Sequence, residues 1–471
     1  MQPRYTQYIL ALALCSCILS CQVDTVKDKT LDTTLKSRLN QVAPSDNYTY
    51  FQLPNPENYD NLPFVDPSVN PMNSAKVELG KMLFYETAIS IEAFQESQRG
   101  TYSCASCHIP EFGFTPGSPQ GIADGGEGYG ELRFKNNDRP SNSLDAQINR
   151  PLSVMNVTFV ENTLWSGMFG SQGVNQDLDY GSLSDGHPAH ANEDGYPALE
   201  TQNIEGFHIH RLGIDEDVLD SYGYREMFAS AFPEDPNLVH EDPAKAFSFA
   251  VSAFLRTIVT TDAPFQKWLR NDNDPSFNDK MKRGALLFFG KANCSDCHNS
   301  PSLGASIDPN DGMDIRFHAL GTKDMTEVTE ITKTLYNEDL DSEIERKLGR
   351  GGLNKREEDH YKFRVPQIYN TKNYQTYFHG SSKNSLEEVI EYKINAVSEK
   401  SEVETLSPLF VPLNLSNREI EDLLYFVEEG LYDPNMISKY VPLDIPSGQC
   451  FPNADETSIQ FQSCLNEDYE Y

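Results

Sequence analysis

Two stretches of the chain repeat one short pattern, Cys104-Ala105-Ser106-Cys107-His108 and Cys294-Ser295-Asp296-Cys297-His298. The C-x-x-C-H pattern is the attachment signature of a c-type haem. Its two thiols form thioether bonds with the haem vinyl groups, and the adjoining imidazole binds the iron from the proximal side. The sequence therefore predicts two covalently bound haem c groups, attached at Cys104, Cys107, Cys294 and Cys297, with His108 and His298 as proximal ligands. One copy in a cytosolic chain would instead be typical of a redox dithiol or half a zinc site.

The N-terminus predicts that the chain is exported. Arg4 is followed by an apolar run from Tyr8 to Leu19, which is too short to span a bilayer and has the length of a signal-peptide core. The run ends in Ile18-Leu19-Ser20-Cys21, which resembles a bacterial lipobox. We therefore expect a lipid on Cys21, with an ordinary secretory signal as the alternative. Because Gln22 follows rather than Asp, the expected location is the outer membrane, with a periplasm-facing, lipid-anchored protein.

All nine cysteines have an assignment in this scheme. Cys15 and Cys17 leave with the signal peptide, Cys21 carries the lipid and four cysteines hold haem. Cys450 and Cys464 remain, and we expect them to form a disulfide in an oxidising compartment.

The chain has 471 residues, which is enough for two or three domains. It contains 38 Lys+Arg and 71 Asp+Glu, for a formal net charge of −33. Such an acidic surplus argues against nucleic acid and anionic membrane surfaces as partners. It favours solubility, and it suits either the steering of a basic protein partner or simply a well-solvated surface.

A longer repeat surrounds the two haem motifs. Residues 79–85, Leu-Gly-Lys-Met-Leu-Phe-Tyr, precede the first motif, and residues 283–289, Arg-Gly-Ala-Leu-Leu-Phe-Phe, precede the second. Each segment places a glycine before a bulky apolar run, which indicates two cytochrome-like units.

Helix signals are clear outside the repeat, and strand signals are sparse. Helices are expected over 243–259 with Asp242 as N-cap, from a Ser385 and Glu388 capping box, and from Ser416 to a stop near Gly430. Residues 110–200 are rich in Gly, Asn, Asp, Ser and Pro, which is typical of loops, and 169–197 has the character of an insertion. The predicted fold is mainly α, with two cytochrome c-like haem domains and long irregular loops.

The predicted organisation has five parts. Residues 1–21 form the signal peptide, and the polar, aperiodic residues 22–60 form a flexible tether. An N-terminal haem domain covers 61–235, a C-terminal haem domain covers 236–440, and residues 441–471 form a tail that contains the expected disulfide.

From about Leu79 to Val427 the chain resembles the bacterial diheme cytochrome c peroxidases and their MauG-like relatives. The resemblance rests on a set of blocks beyond the haem motifs: Leu79-Gly80-Lys81, Trp165-Ser166-Gly167, Phe254-Leu255-Arg256-Thr257, Phe363-Arg364-Val365-Pro366, Tyr377-Phe378-His379-Gly380 and Leu386-Glu387-Glu388. It implies that peroxide reacts at the first haem, that the second haem accepts electrons, and that Trp165 lies between them. A packed aromatic is the alternative role for Trp165. The implied electron donor is a small protein of cytochrome c or cupredoxin type.

The first haem's distal side departs from the family pattern. A histidine found in several relatives sixteen residues beyond the motif is Asp124 here, which predicts an iron open to peroxide without reductive activation. Gln202 matches the family's distal glutamine, but the position of the glutamate falls at Arg211, beside His210. We expect Gln202, His210 and Arg211, with Trp165, to be the catalytic residues. Alternatively, His210 and Arg211 are surface or salt-bridge residues.

The second haem's distal side also departs from the family pattern. The family's methionine or tyrosine ligand follows the histidine of the Tyr-Phe-His-Gly block by fourteen residues, which gives Lys393, with Tyr392 beside it. Lys393 continues a helical apolar stripe of Leu386, Val389 and Ile390. It can bind iron as a neutral amine, since burial lowers a lysine pKa, or it can extend to solvent. Tyr392 remains the rival ligand.

The resemblance further implies one calcium ion between the domains. Asn149, or the nearby Asn156, and the carbonyl groups of Tyr374 and Thr376 lie near the matching positions.

The sequence thus predicts an enzyme that reduces hydrogen peroxide to water with electrons from a small soluble donor. A MauG-like oxidase of a protein or organic substrate is one alternative, which the 169–197 insertion would favour if it lined the haem edge. A non-catalytic diheme electron carrier is the other. The oligomeric state stays open.

Overall fold

The computed structural model describes residues 29–136, 144–271, 274–325 and 345–462. The described chain is rich in helices and has few strands, which confirms the mainly α prediction. The first eight helices are α1 (Lys29–Val42), α2 (Ser74–Tyr85), α3 (Ala198–Ile209), α4 (Glu216–Ser221), α5 (Tyr224–Ala231), α6 (Leu238–Glu241), α7 (Pro243–Thr257) and α8 (Pro264–Arg270). The later helices are α9 (Asp279–Phe288), α10 (Met313–Arg316), α11 (Arg350–Asn354), α12 (Leu386–Asn395), α13 (Asn417–Tyr425), α14 (Met436–Tyr440) and α15 (Glu456–Gln462).

The strands form two short antiparallel pairs. β1 (Gly126–Glu127) pairs with β2 (Phe134–Lys135), and β3 (Phe317–Ala319) pairs with β4 (Lys362–Arg364). In the second pair His318 lies opposite Phe363, so their side chains share one face of the ribbon.

Each haem motif follows a helix that crosses another helix at a glycine. α2 packs against α7 at Gly80, where an added Cβ would collide with the carbonyl oxygen of Ala250. α9 packs against α13 at Gly284, where an added Cβ would collide with the carbonyl oxygen of Asp422. The two glycines occupy the same place in the sequence repeat, so the repeat is also one of local structure.

The predicted helix boundaries agree closely with the structure. Asp242 caps α7 by accepting a hydrogen bond from the Lys245 N–H, and Pro243 occupies the first turn. Ser416 and Glu419 form the expected capping box of α13. The helix continues as a five-residue π-helix that ends at Gly430.

The prediction of a flexible tether is wrong for residues 29–60. α1 lies within this segment, and Leu35 and Leu39 are fully buried in the main hydrophobic core. Asp32 accepts a hydrogen bond from Trp268 and pairs with Lys282, in each case with a carboxylate oxygen within 2.8 Å. Two leucines one turn apart are enough to fix α1 against α9 because polar partners also anchor it.

The predicted boundary at 235/236 does not separate the elements as expected. α7 begins just after it, yet α7 packs against α2 and α3 from the preceding part of the chain. The tail also returns to the first motif, because the hydroxyl groups of Ser103 and Ser106 both donate to the Pro452 carbonyl oxygen.

Some expectations concern residues outside the described ranges. The signal peptide with Cys21 lies there, and so does Cys464. Cys450 is disulfide-bonded. Among the described helices, none combines the length and the apolar character needed to cross a membrane.

The segment 169–197 is irregular, as predicted, with short 3₁₀ turns. It packs on α11 through a small second core of Met168, Phe169, Leu178, Leu183, Ala189 and Leu353.

Candidate active site

Both C-x-x-C-H motifs open into one continuous cavity of about 460 Å³. The lining residues are mostly apolar, and they include all six residues that the sequence predicts for haem attachment and proximal ligation: Cys104, Cys107, His108, Cys294, Cys297 and His298. None of these four motif cysteines is part of a disulfide. The fold therefore brings together two segments almost two hundred residues apart in sequence.

The two proximal histidines are held in the same way. The Nδ1 atom of His108 lies 3.2 Å from the carbonyl oxygen of Phe114, and that of His298 lies 2.8 Å from the carbonyl oxygen of Leu303. A ring N–H donated to a carbonyl fixes the tautomer and leaves Nε2 with a lone pair for a metal. Burial lowers the pKa of each ring to about 4, so both are neutral imidazoles.

Two buried arginines in the cavity wall make the site suitable for haem. Arg150 donates through Nε to the Phe378 carbonyl oxygen, but its buried Nη1 has no partner. Arg364 donates to the Leu164 carbonyl oxygen, and burial lowers its pKa to about 10. In the described part of the chain neither guanidinium has a carboxylate partner, although a buried cation normally does. Haem propionates would supply those carboxylates, so the residues fit two haem groups.

Trp165 lies in the wall of the cavity that both motifs share. Its indole Nε1–H donates to the Arg150 carbonyl oxygen at 2.7 Å, and its ring contacts Phe363 and His379 edge-on, with centroid distances of 6.5 and 6.2 Å. Phe363 and His379 are themselves stacked at 3.7 Å. His379 is fixed by Asp324, 2.9 Å from its Nε2. Trp165 is therefore held rigidly in an aromatic cluster.

Two of the predicted distal residues, Gln202 and His210, line the cavity near the first motif. His210 lies at the C-terminal end of α3, and its Nδ1 is 2.7 Å from a carboxylate oxygen of the buried Asp145. Burial lowers the pKa of His210, but the charge of Asp145 and the hydrogen bond to it outweigh burial, so the pKa is raised overall. This histidine can carry a proton near neutral pH.

Arg211 does not share this position. Its backbone has a φ of 54°, which turns the chain after α3 and directs the guanidinium to Asp124, with Nη1 and the carboxylate oxygen 2.6 Å apart. Arg211 is not among the residues that line the cavity. Arg211 therefore has the alternative role that the sequence left open, that of a salt-bridge residue. Its partner, Asp124, is fully buried.

Two acidic residues next to the predicted distal residues, Glu205 and Asp145, were not predicted from the sequence. Glu205 lies one turn beyond Gln202 on α3 and lines the cavity, and burial raises its pKa. The i, i+3 spacing from Gln202 is the signal that could have identified it. Asp145 lies in an irregular loop, and no sequence pattern connects it with His210.

At the second motif the structure distinguishes Lys393 from Tyr392. Lys393 lines the cavity, with Nζ 5.6 and 5.9 Å from the ring centroids of Phe378 and Phe410, and burial lowers its pKa. The Tyr392 hydroxyl instead donates to the Leu320 carbonyl oxygen at 2.6 Å, and Tyr392 is not a lining residue.

Of the calcium candidates, Asn156 is engaged elsewhere. Its carboxamide donates to the Thr260 hydroxyl at 2.8 Å and accepts from the Thr260 N–H at 3.1 Å. Asn149 and the carbonyl groups of Tyr374 and Thr376 stay a prediction.

The comparisons with known sequences agree with one another in the kind of protein that they find. A family model described as di-haem cytochrome c peroxidase matches residues 74–274. The chain is 24% identical over 376 residues to a methylamine utilization protein MauG of Methylorubrum extorquens, covering 79% of this chain and 82% of that protein. It is 25% identical over 403 residues to the cytochrome-c peroxidase IdrP1 of a Pseudomonas species, covering 81% of this chain and 89% of that protein.

A solved structure shares the fold. It is described as a MauG-like protein associated with microbial copper homeostasis, and it matches with a TM-score of 0.57 and 23% identity over 83% of this chain and 97% of that one. With its two haem motifs in one cavity and relatives along most of its length, the chain is similar to the di-haem cytochrome c peroxidases and MauG-like proteins.

Proposed function

We propose that this protein is a diheme c-type cytochrome peroxidase, which reduces hydrogen peroxide to water with electrons from a small soluble donor protein. The observation that carries the proposal is the hydrogen bond between Asp145 and His210, which lines the cavity near His108 of the first motif. Relatives named cytochrome-c peroxidase, including a cytochrome c551 peroxidase of Nitrosomonas europaea that is 25% identical over 325 residues, support the same activity.

In this reaction, one set of residues serves proton transfer and another set serves electron transfer. Cys104, Cys107 and His108 would hold a haem c, which would supply the iron for the reduction of peroxide. Neutral His210 accepts a proton from one peroxide oxygen and returns it to the other, while Asp145 fixes its orientation. Glu205, which lines the cavity and whose pKa burial raises, is a second group for proton transfer. Each turnover consumes two electrons and two protons and releases two water molecules.

Electrons reach the first motif through the wall that both motifs share. Cys294, Cys297 and His298 would hold the haem c that supplies the site of electron entry, and Trp165 with its aromatic neighbours lies in the cavity wall that both motifs share. The proposal includes two cytochrome c-like units with one haem each. It also includes a calcium ion at Asn149 and a lipid on Cys21 that anchors the protein at the outer membrane, facing the periplasm. The support for the calcium and the lipid is the sequence pattern.

Replacement of His210 tests the proposal. His210→Ala should lower peroxide turnover with a reduced donor by roughly 10²–10⁴-fold, because the proton carrier is lost. His208→Ala is the matched control, since His208 lies on the same helix and is exposed, and it should turn over peroxide at the unmodified rate. Equal rates for the two variants would remove His210 from the mechanism.

A MauG-like oxidase is the second candidate, and one observation favours it. Phe169 and Pro188, from the 169–197 segment, line the cavity, so this segment borders the space in which an organic group or a protein side chain would be oxidised. Consumption of peroxide with modification of an added protein, and without oxidation of the donor, would select this function. If peroxide left the spectra of both haems unchanged, the protein would be an electron carrier.

A further inference from the structure

Three buried lysines and the half-buried Lys393 differ in what their ammonium groups contact. Lys76 donates to the Asn70 side chain and the Pro71 carbonyl oxygen, at 3.0 and 2.7 Å. Lys282 pairs with Asp32 at 2.8 Å, and Lys400 pairs with Asp324. Lys393 has no hydrogen bond and no ion pair in the described part of the chain, although its Nζ reaches the cavity wall between two aromatic rings. Its side chain therefore needs a partner from within the cavity.

A second nitrogen on the same part of the wall also lacks a partner. His318 is 6% exposed, and its Nδ1 lies 3.0 Å from the hydroxyl of Ser407. Its Nε2 is buried and without a hydrogen bond, and the residue lines the cavity. The segment that carries Ser407 continues to Phe410, whose ring flanks Lys393. Both unpartnered nitrogens therefore belong to residues that line the same cavity as His298.

We propose that Lys393 is the distal iron ligand of the second haem, opposite His298, and that His318 accepts a hydrogen bond from the bound amine. The proposal rests on the haem occupancy that the proposed function requires. A lysine amine that gives its lone pair to iron keeps N–H groups that need an acceptor, and the Nε2 of His318 is an unused acceptor when Nδ1–H donates to Ser407. Tyr392 is excluded from this role because its hydroxyl is bound to Leu320.

The arrangement gives the second haem a distinct chemistry. Held by both His298 and Lys393, the iron would have no open position for peroxide, so peroxide would react at the haem that His108 holds. An amine is a harder donor than a methionine thioether, so it favours the ferric iron more strongly. His318 acts as a positioning residue, since it holds the amine rather than the metal.

The test uses the full-length protein with two haems per chain, confirmed by haem content. Lys393→Ala should convert the low-spin ferric signal of one haem to high-spin, and the reduced variant should bind one more equivalent of carbon monoxide per chain. Tyr392→Phe should leave both readings unchanged. Lys393→Met should stay low-spin, with a raised midpoint potential for that haem. If Lys393→Ala loses haem, the midpoint potential of Lys393→Met still tests whether residue 393 is the iron ligand.

His318 is tested by its effect on the ligand rather than on turnover. His318→Phe should keep the low-spin signal but shift the midpoint potential of the second haem, and His318→Gln, whose side chain retains an acceptor oxygen, should restore the unmodified value. If Lys393→Ala kept the low-spin signal, the proposal would be overturned. Loss of the signal in His318→Phe alone would make His318 the ligand. These spectra do not depend on peroxide turnover, so failure here is distinguishable from failure of the peroxidase proposal.

Discussion

The imidazole of His210 differs from those of His108 and His298 in what its Nδ1 contacts. The two proximal rings face neutral carbonyl oxygens, and burial lowers their pKa to about 4. His210 faces the carboxylate of Asp145, which raises its pKa despite burial. One residue type is therefore neutral in two places, as the proposed metal ligands require, and able to carry a proton in the third, as the proposed proton transfer requires.

The Asp145 carboxylate should control the pH dependence of peroxide reduction. His210 must be neutral to accept a proton, so the rate should rise with pH through its raised pKa and then level off. Asp145→Asn removes the charge that raises this pKa, and the rising part of the profile should therefore move to lower pH. The measurement is the pH profile of kcat/KM for peroxide. An unshifted profile would mean that a group other than His210 controls the proton transfer.

The individual residues differ in how far the sequence could predict them. The six residues proposed to bind haem could be chosen from the sequence because each motif is local, and the structure places all six in the cavity lining. Gln202 and His210 reach the cavity as expected, whereas Arg211 turns away because its left-handed backbone conformation was invisible in the sequence. Asp145 and His318 depend on contacts between segments far apart in the chain, which no local pattern encodes.

Helix pairs are the elements that carry the two motifs. α2 with α7, and α9 with α13, approach closely at a single glycine each, Gly80 and Gly284. The sequence repeat indicated these glycines but not the helices that they contact. The helix boundaries were more predictable than the pairings, because caps such as Asp242 and Ser416 act within one turn.

A methyl group at either crossing should destabilise the fold. Gly80→Ala and Gly284→Ala each force apart two helices whose backbones are in contact, at a cost of about 1–3 kcal/mol in the free energy of unfolding. Gly206→Ala on α3 is the matched helical control, because its added Cβ would meet nothing closer than 3.7 Å. It should raise stability by up to about 1 kcal/mol. Denaturant unfolding of the three variants measures these differences, and equal stability of Gly80→Ala and the control would contradict the packing described.

Over the whole molecule, the chain crosses between its two halves several times. α1 at the beginning of the described chain packs on α9 in the second half, and the tail reaches the first haem motif through Pro452. Asp455, in the same tail, accepts a hydrogen bond from the Gly128 N–H at 3.1 Å. The sequence could not indicate these crossings, because the buried face of α1 has few apolar residues and the tail reaches the first motif through the Pro452 carbonyl group, a backbone contact that no sequence pattern encodes. These contacts between the two halves accompany a single cavity that both haem motifs line.

The measurement that tests the account most directly is the stoichiometry of peroxide reduction by the protein with two haems per chain. The reduced donor and hydrogen peroxide are mixed with catalytic amounts of enzyme, and both are quantified over time. The account predicts two electrons taken from the donor for each peroxide consumed, with no modified organic product. Consumption of peroxide while the donor stays reduced would contradict it.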